Sequence, residues 1–259
     1  MSALLEIKGL TKRFGGLVAV NDVSFSVKEK EILSVIGPNG AGKSTLFKLI
    51  ASFITPTTGE VRFKGECISG LAPHIVARKG VVRTFQETTI FKGMTVRDNV
   101  IVAHHLRAKA SFLGCYVGTG LARQDQEEFG RSADEILDFL GLGSQRNEVA
   151  QNLPHGHLRA LGIAIGLATE PKILLLDEPF AGMNHDETVK AVEMVRAVRD
   201  RGVTVLLVEH DMPAVMNISD RIVVINFGQK IAEGTPKEIQ ENEKVIEAYL
   251  GAEDETIGY

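Results

Sequence analysis

The chain has 259 residues, 44% hydrophobic and 24% charged, with 33 acidic against 29 basic side chains and a formal net charge of −4. This is enough for one large domain with a buried core, and the acidic balance excludes a global attraction to nucleic acid or anionic lipid, though not a local basic patch. Cys67 and Cys115 lie far apart in no ligand pattern, so two reduced thiols are expected. The N-terminus, MSALLEIKGL, has an early acidic residue and no long apolar core, so it does not read as a signal peptide. No window approaches the ~20 apolar residues of a membrane span.

In chain order, LEIKGL and NDVSFSV alternate apolar and polar residues, as half-buried strands do, with Val23, Phe25 and Val27 on one face. EILSVIG is continuously apolar, as a strand covered on both faces would be. It runs into PNGAGKST and then into LFKLIASF, which reads as a helix. From about 95 to 151 helical spacing dominates, and RSADEILDFLGL predicts Ile136, Leu137 and Leu140 on one face with Gly141 as the stop. ASFLGCYVGTGLARQDQ, with three glycines and no period, reads as an irregular insertion spanning about 105–128. His104 and His105 beside it are expected on a solvated helix face.

Strand patterns return in KILLLDE, VTVLLVEH and DRIVVINF. Between the first two, HDETVKAVEMVRAVRDRG predicts a helix with Val189, Val192 and Val195 recurring at helical spacing and Gly202 ending it. NFGQ and AEGTP suggest a tight turn and a chain reversal, PKEIQENEKVIEAYL one last helix, and AEDETIGY a frayed acidic tail. Buried strands alternating with helices predict an α/β fold with a mainly parallel sheet.

GPNGAGKS, Gly37 to Ser44, fits the phosphate-loop pattern in the context that supports it, after a buried strand and opening a helix. Its glycines let successive N–H groups point at phosphate oxygens, and the helix N-terminus faces the same anion. Lys43 can reach the terminal phosphates and Ser44 can hold magnesium. KILLLDEP delivers Asp177 and Glu178 at a strand's C-terminal end, where ligands of such sheets bind. Asp177 would bind the metal, and Glu178 would orient or deprotonate the attacking water.

GPNGAGKST, then Gln86 in RTFQET, KILLLDEP and His210 in VEHDM, in that order, resemble the ATPase subunit of ABC transporters over essentially the whole chain. FAGMN, the ending GTPKEIQENEKVIEAYLG and the insertion after Gln86 look most like the ATPases of branched-chain amino-acid importers. The resemblance implies a P-loop NTPase core of mainly parallel sheet (1–94 and 159–235), an antiparallel β extension, an inserted α-helical subdomain (95–158) and a C-terminal helix and tail (236–259). It implies ATP and Mg2+ as cofactors, with Asn39, Gly40, Ala41, Gly42, Lys43, Ser44 and Thr45 around the phosphates. Phe14 would stack on the adenine, and Val20 would also belong to the nucleotide-binding residues. Gln86 would sense the metal and the attacking water, and His210 would contact the terminal phosphate. Implied partners are integral-membrane permease subunits, a second ATPase subunit of the same or a different chain, and indirectly an extracytoplasmic solute-binding protein, with no nucleic acid. The implied place is the cytoplasmic face of the membrane. An exporter ATPase, or an ATP-dependent switch outside transport, is the alternative.

LPHGH, Leu153 to His157, occupies the slot where the family usually has Leu-Ser-Gly-Gly-Gln and clamps the ATP of a head-to-tail partner. Pro154 suits a first helical turn, Gly156 allows close backbone approach to phosphate, and Asn152 is a candidate N-cap. Pro154 offers no hydroxyl, so His155 or His157 would replace that contact. A metal site would need further ligands, which the neighbouring sequence does not supply. Ala181 to Asn184 match the loop that crosses the dimer interface, with Asn184 in place of the family's usual aspartate.

Overall fold

A computed structural model describes residues 3–84 and 90–254. β1 (Ala3–Phe14), β2 (Leu17–Lys28), β4 (Thr58–Phe63) and β5 (Glu66–Cys67) form an antiparallel sheet in the order β2-β1-β4-β5. β3 (Ile32–Ile36), β6 (Val81–Arg83), β7 (Ile173–Asp177), β8 (Thr204–Val208), β9 (Arg221–Asn226) and β10 (Gln229–Gly234) form the main sheet, in the order β10-β9-β3-β8-β7-β6. All its pairings are parallel except β10 on β9. The helices are α1 (Lys43–Ile50), α2 (Pro73–Lys79), α3 (Val96–His104), α4 (Phe112–Val117), α5 (Gly120–Phe139), α6 (His155–Leu167), α7 (His185–Asp200), α8 (Met212–Ile218), α9 (Pro236–Gln240) and α10 (Glu243–Asp254).

β3 and β8 are buried along their whole length because both faces of the main sheet are covered. Leu33, Val35, Leu175 and Leu206 share a core with Leu46 and Phe47 of α1 and with the inner face of β1 and β2, including Val23, Phe25 and Val27. Ile32, Leu174, Leu176 and Leu207 point the other way, against Leu161 of α6 and Val195 of α7. α1 is thus held between the two sheets. Phe47 is fully buried there, and truncating such a ring to alanine costs about 3–5 kcal/mol.

Four local expectations are corrected. The stretch expected to be irregular folds into α4 and the start of α5, each opened by a side-chain cap: Ser111 accepts from Gly114 N and Thr119 from Ala122 N. The buried carboxylate of Asp125 accepts the N–H groups of Lys109 and Ala110 and anchors the preceding loop to α5. His104 is buried, not solvated. Its Nδ1 lies 2.9 Å from Val100 O, its Nε2 2.9 Å from Ser132 Oγ, and its ring stacks on Phe129. Burial pushes this imidazole below its ordinary pKa.

On α7, Val192 and Val195 are buried but Val189 is exposed, because Ala191 and Val198 complete the inward stripe. The single C-terminal helix is two helices. Thr235 opens α9 with a capping box to Glu238, so AEGTP starts a helix, and α10 carries helical backbone on to Asp254. Among the described residues no helix is long and apolar enough to cross a membrane.

Candidate functional site

The glycine-rich loop joins β3 to α1. A Cβ on Gly42, where φ is +101°, would lie 2.3 Å from Ala19 O, and one on Gly37 would lie 1.9 Å from Ile225 O. The loop is therefore glycine because β2 and β9 press against it. α1 begins with Gly42 as N-cap and no side-chain cap, which leaves its first N–H groups for an anion. Lys43 is buried, and its Nζ donates to the carbonyls of Gly37 (2.6 Å) and Pro38 (2.9 Å). Burial pulls the ammonium below its usual range, while Glu178 and Asp177 oppose that shift.

A cavity of about 420 Å3 opens over this loop, lined by Leu17, Val18 and Ala19, by Asn39 through Thr45, and by Glu178, Phe227 and Gly228. The cavity thus gathers Asn39, Gly40, Ala41, Gly42, Lys43, Ser44, Thr45 and Glu178 as neighbours. Val20 is 1% exposed and packs in the core, so Leu17 to Ala19 present β2 to the cavity in its place. Phe14 is half-exposed with Lys12 Nζ 5.1 Å from its ring centroid, and it does not line the cavity.

Asp177 ends β7, and Glu178 follows with φ +49° in the left-handed region, its N–H donating to Val208 O at 2.9 Å. Holding a glutamate there costs of order 1–3 kcal/mol and is sustained by the surrounding structure. It turns Glu178 out of the strand line and into the cavity lining. Asp177 is engaged by Arg83 of β6, with Nη2 donating to Oδ2 at 2.5 Å. His210 follows β8, the parallel neighbour of β7, and is largely exposed. Gln86 lies outside the described residues.

Glu209 was not anticipated from the sequence. Its fully buried carboxylate accepts N–H from Phe180 at 2.7 Å and from His210 at 2.9 Å, and Oε2 lies 3.7 Å from His210 Nδ1. One side chain thereby ties the loop after Glu178 to the loop carrying His210. Burial raises its pKa, and the backbone donors only partly offset that. The signal was present in VTVLLVEH: an acid that directly continues a buried apolar strand needs partners.

LPHGH opens α6, but not as expected. Pro154 is the N-cap itself, His155, Gly156 and His157 are the first three helical residues, and no side chain caps the helix. Asn152 ends a short 3-10 turn instead of capping. Pro154 and His155 are exposed, and Gly156 and His157 half-buried. Pro154, Gly156 and His157 line a second cavity of about 630 Å3, with Phe180, Met183 and Glu187. It shares no lining residue with the cavity over the phosphate loop. Asn184 caps α7 in a reciprocal capping box with Glu187, which uses the amide where the family's usual residue is an aspartate.

The ABC transporter family profile matches residues 20–181, and the profile described as branched-chain amino acid ATP-binding cassette transporter matches residues 229–255. BraF of Pseudomonas aeruginosa, a high-affinity branched-chain amino acid transport ATP-binding protein, is 48% identical over 249 residues, covering 96% of this chain and 98% of that one. LivG of Escherichia coli, which carries the same description, is 45% identical with the same coverage. The crystal structure of a nucleotide-free ATP-binding cassette from an ABC transporter superposes with a TM-score of 0.85 at 31% identity, over 96% of this chain and 99% of that one. The phosphate loop between β3 and α1, the acidic end of β7 and the antiparallel β extension are therefore those of a family member: this chain belongs to the ATP-binding subunits of ABC transporters.

Proposed function

We propose that this chain hydrolyses ATP to power import of branched-chain or similar amino acids. It does so at the cytoplasmic face of the membrane, bound to integral-membrane permease subunits that a solute-binding protein supplies. The observation that carries this reading is the convergence of Lys43, Ser44 and Glu178 on one cavity at a helix N-terminus. The descriptions of BraF and LivG support the substrate class.

In this mechanism the loop N–H groups and Lys43 neutralise the phosphates, with Lys43 exchanging the carbonyls of Gly37 and Pro38 for phosphate oxygens. Glu178 takes the proton of the attacking water. His210 and Gln86 contact the terminal phosphate and the water, and Glu209 holds the His210 backbone in place. The oxygen donors Ser44 and Asp177 suit magnesium, which would neutralise charge on the transferred group. Pro154, Gly156 and His157 line one cavity and the phosphate loop another in the same chain. That separation supports a head-to-tail pair in which the uncapped N-terminus of α6 clamps the partner's terminal phosphate. The core (1–94 and 159–235), the helical subdomain (95–158) and the C-terminal segment (236–259) are the corresponding units.

The test is steady-state ATP hydrolysis by the purified chain across protein concentrations, beside Glu178→Gln. Turnover per subunit that rises with concentration and disappears in the variant is expected. Concentration-independent turnover that survives the substitution overturns the reading.

A further inference from the structure

Phe227 is the residue that the family reading leaves without a task. It is a phenylalanine with 80% of its surface exposed, and two features show that its exposure is not that of a loose loop tip. First, β9 ends at Asn226 and β10 starts at Gln229, so Phe227 and Gly228 are the whole turn. Both have positive φ, +44° and +76°, the backbone of a type I′ hairpin, whose first position favours asparagine, aspartate or glycine. An aromatic there is unfavourable for the turn itself. Second, the turn is pinned. Gly228 N donates to Ala41 O at 2.9 Å, and Asn21 N donates to Gly228 O at 2.8 Å. A Cβ on Gly228 would lie 2.9 Å from Ala19 O. The backbone that carries the ring therefore stands at a fixed place relative to the phosphate loop.

That place is the rim of the cavity over the loop, shared with Leu17, itself 67% exposed. Lys43 and Glu178 are charged residues lining the same cavity, Ser44 adds a hydroxyl, and Leu17 and Phe227 supply exposed apolar surface. A nucleotide has the same division, with an anionic chain at one end and a flat aromatic base at the other.

We infer that Phe227 is a wall of the nucleotide site against which the purine base packs, with Leu17 as the apolar surface beside it. This rests on the nucleotide-binding reading above. A ring carried on a pinned turn gains stacking contact at the cost of ordering one side chain and not a loop.

The chain contains no tryptophan, so F227W introduces a single indole emitter at the site. Binding of ATP and of inorganic tripolyphosphate, which has no base, is measured by calorimetry on full-length wild type and F227A. The emission of F227W is titrated with both. F227A is expected to weaken ATP about three- to tenfold and leave tripolyphosphate within twofold. F227W emission should respond to ATP and not to tripolyphosphate. The inference is overturned if F227A binds ATP like the wild type. It is also overturned if F227A weakens both ligands alike, which would mean the hairpin acts by shaping the phosphate loop. Retained ATP affinity with a loss of concentration-dependent hydrolysis would assign the ring to contact between subunits instead. A wild type that binds neither ligand refutes the nucleotide site itself, a result distinct from any of these.

Discussion

Arg83 Nη2 donates to Asp177 Oδ2 at 2.5 Å, and the two side chains are only 9% and 11% exposed. The carboxylate expected to hold magnesium is therefore already paired with a guanidinium from the neighbouring parallel strand, which leads directly into residues 85–89. A cation at Asp177 must share or displace that partner.

The first prediction concerns this pair. Arg83→Met removes the hydrogen-bonded partner of the largely buried Asp177 side chain, a loss of up to about 3–5 kcal/mol on the scale of a broken buried pair. Urea denaturation should show that loss. Magnesium with ATP should stabilise the variant more than the wild type, because the cation restores a counter-charge that the arginine otherwise supplies. Equal stabilisation of both proteins would separate Arg83 from the metal position.

Glu178→Gln should lower turnover by about 10²–10⁴-fold, the usual scale for a general base, while ATP still binds. The amide keeps the length and the left-handed backbone position, so the fold should be retained. Single-turnover hydrolysis beside equilibrium ATP binding separates the two effects, and unchanged turnover removes Glu178 from the role.

Gly156 lies in the first turn of α6, and a Cβ there meets Glu187 Oε1 only at 3.7 Å, an ordinary contact. Gly156→Asp therefore fits sterically within one chain; its carboxylate gains from the helix N-terminus but meets that of Glu187, so the variant's urea midpoint is measured beside its activity. The substitution should abolish hydrolysis by repelling a partner's phosphate while leaving ATP binding to its own loop within about twofold. Normal hydrolysis by this variant would refute the clamp.

Glu209 gives a pH prediction with a definite sign. Burial raises its folded-state pKa above the ordinary 4.5. Between those two values the folded chain keeps a proton that the unfolded chain has released, so this group's contribution to stability falls as pH rises through that interval. Glu209→Gln removes the titration. Its stability relative to wild type should increase as pH rises from about 4.5 through the interval, read as urea midpoints across that range. Parallel curves for the two proteins would mean that Glu209 does not titrate as its burial implies.

Much of this architecture is written in short stretches of sequence. EILSVIGPNGAGKST carries strand, loop and helix together because each element has its own local signal, and KILLLDEP carries the strand that delivers Asp177 and Glu178. The segment after His105 was misread because Gly114, Gly118 and Gly120 look like breakers, whereas Gly118 closes α4 in the left-handed conformation and Ser111 and Thr119 cap the helices. His104 was misread because its burial depends on Phe129 and Ser132, which belong to α5. Arg83 with Asp177 and Glu209 with Phe180 pair residues 94 and 29 positions apart. Such pairs exist only once the order of the parallel strands is known. Val20 entered the nucleotide site through resemblance, and its core position has no local signature.

The pinned turn at Phe227 and Gly228 has a consequence for biosynthesis. The phosphate loop leaves the ribosome well before β8 and β9, yet its strand is flanked by both, and Ala41 O receives its hydrogen bond from Gly228 N. Neither support exists until the chain has been synthesised past Gly228. A nascent chain thus exposes its glycine-rich loop without the scaffold that shapes it, and nucleotide capture becomes a mark of synthesis past the β9–β10 turn. A transcript truncated ahead of β9 would give a protein that carries the full phosphate-loop sequence and cannot form its site.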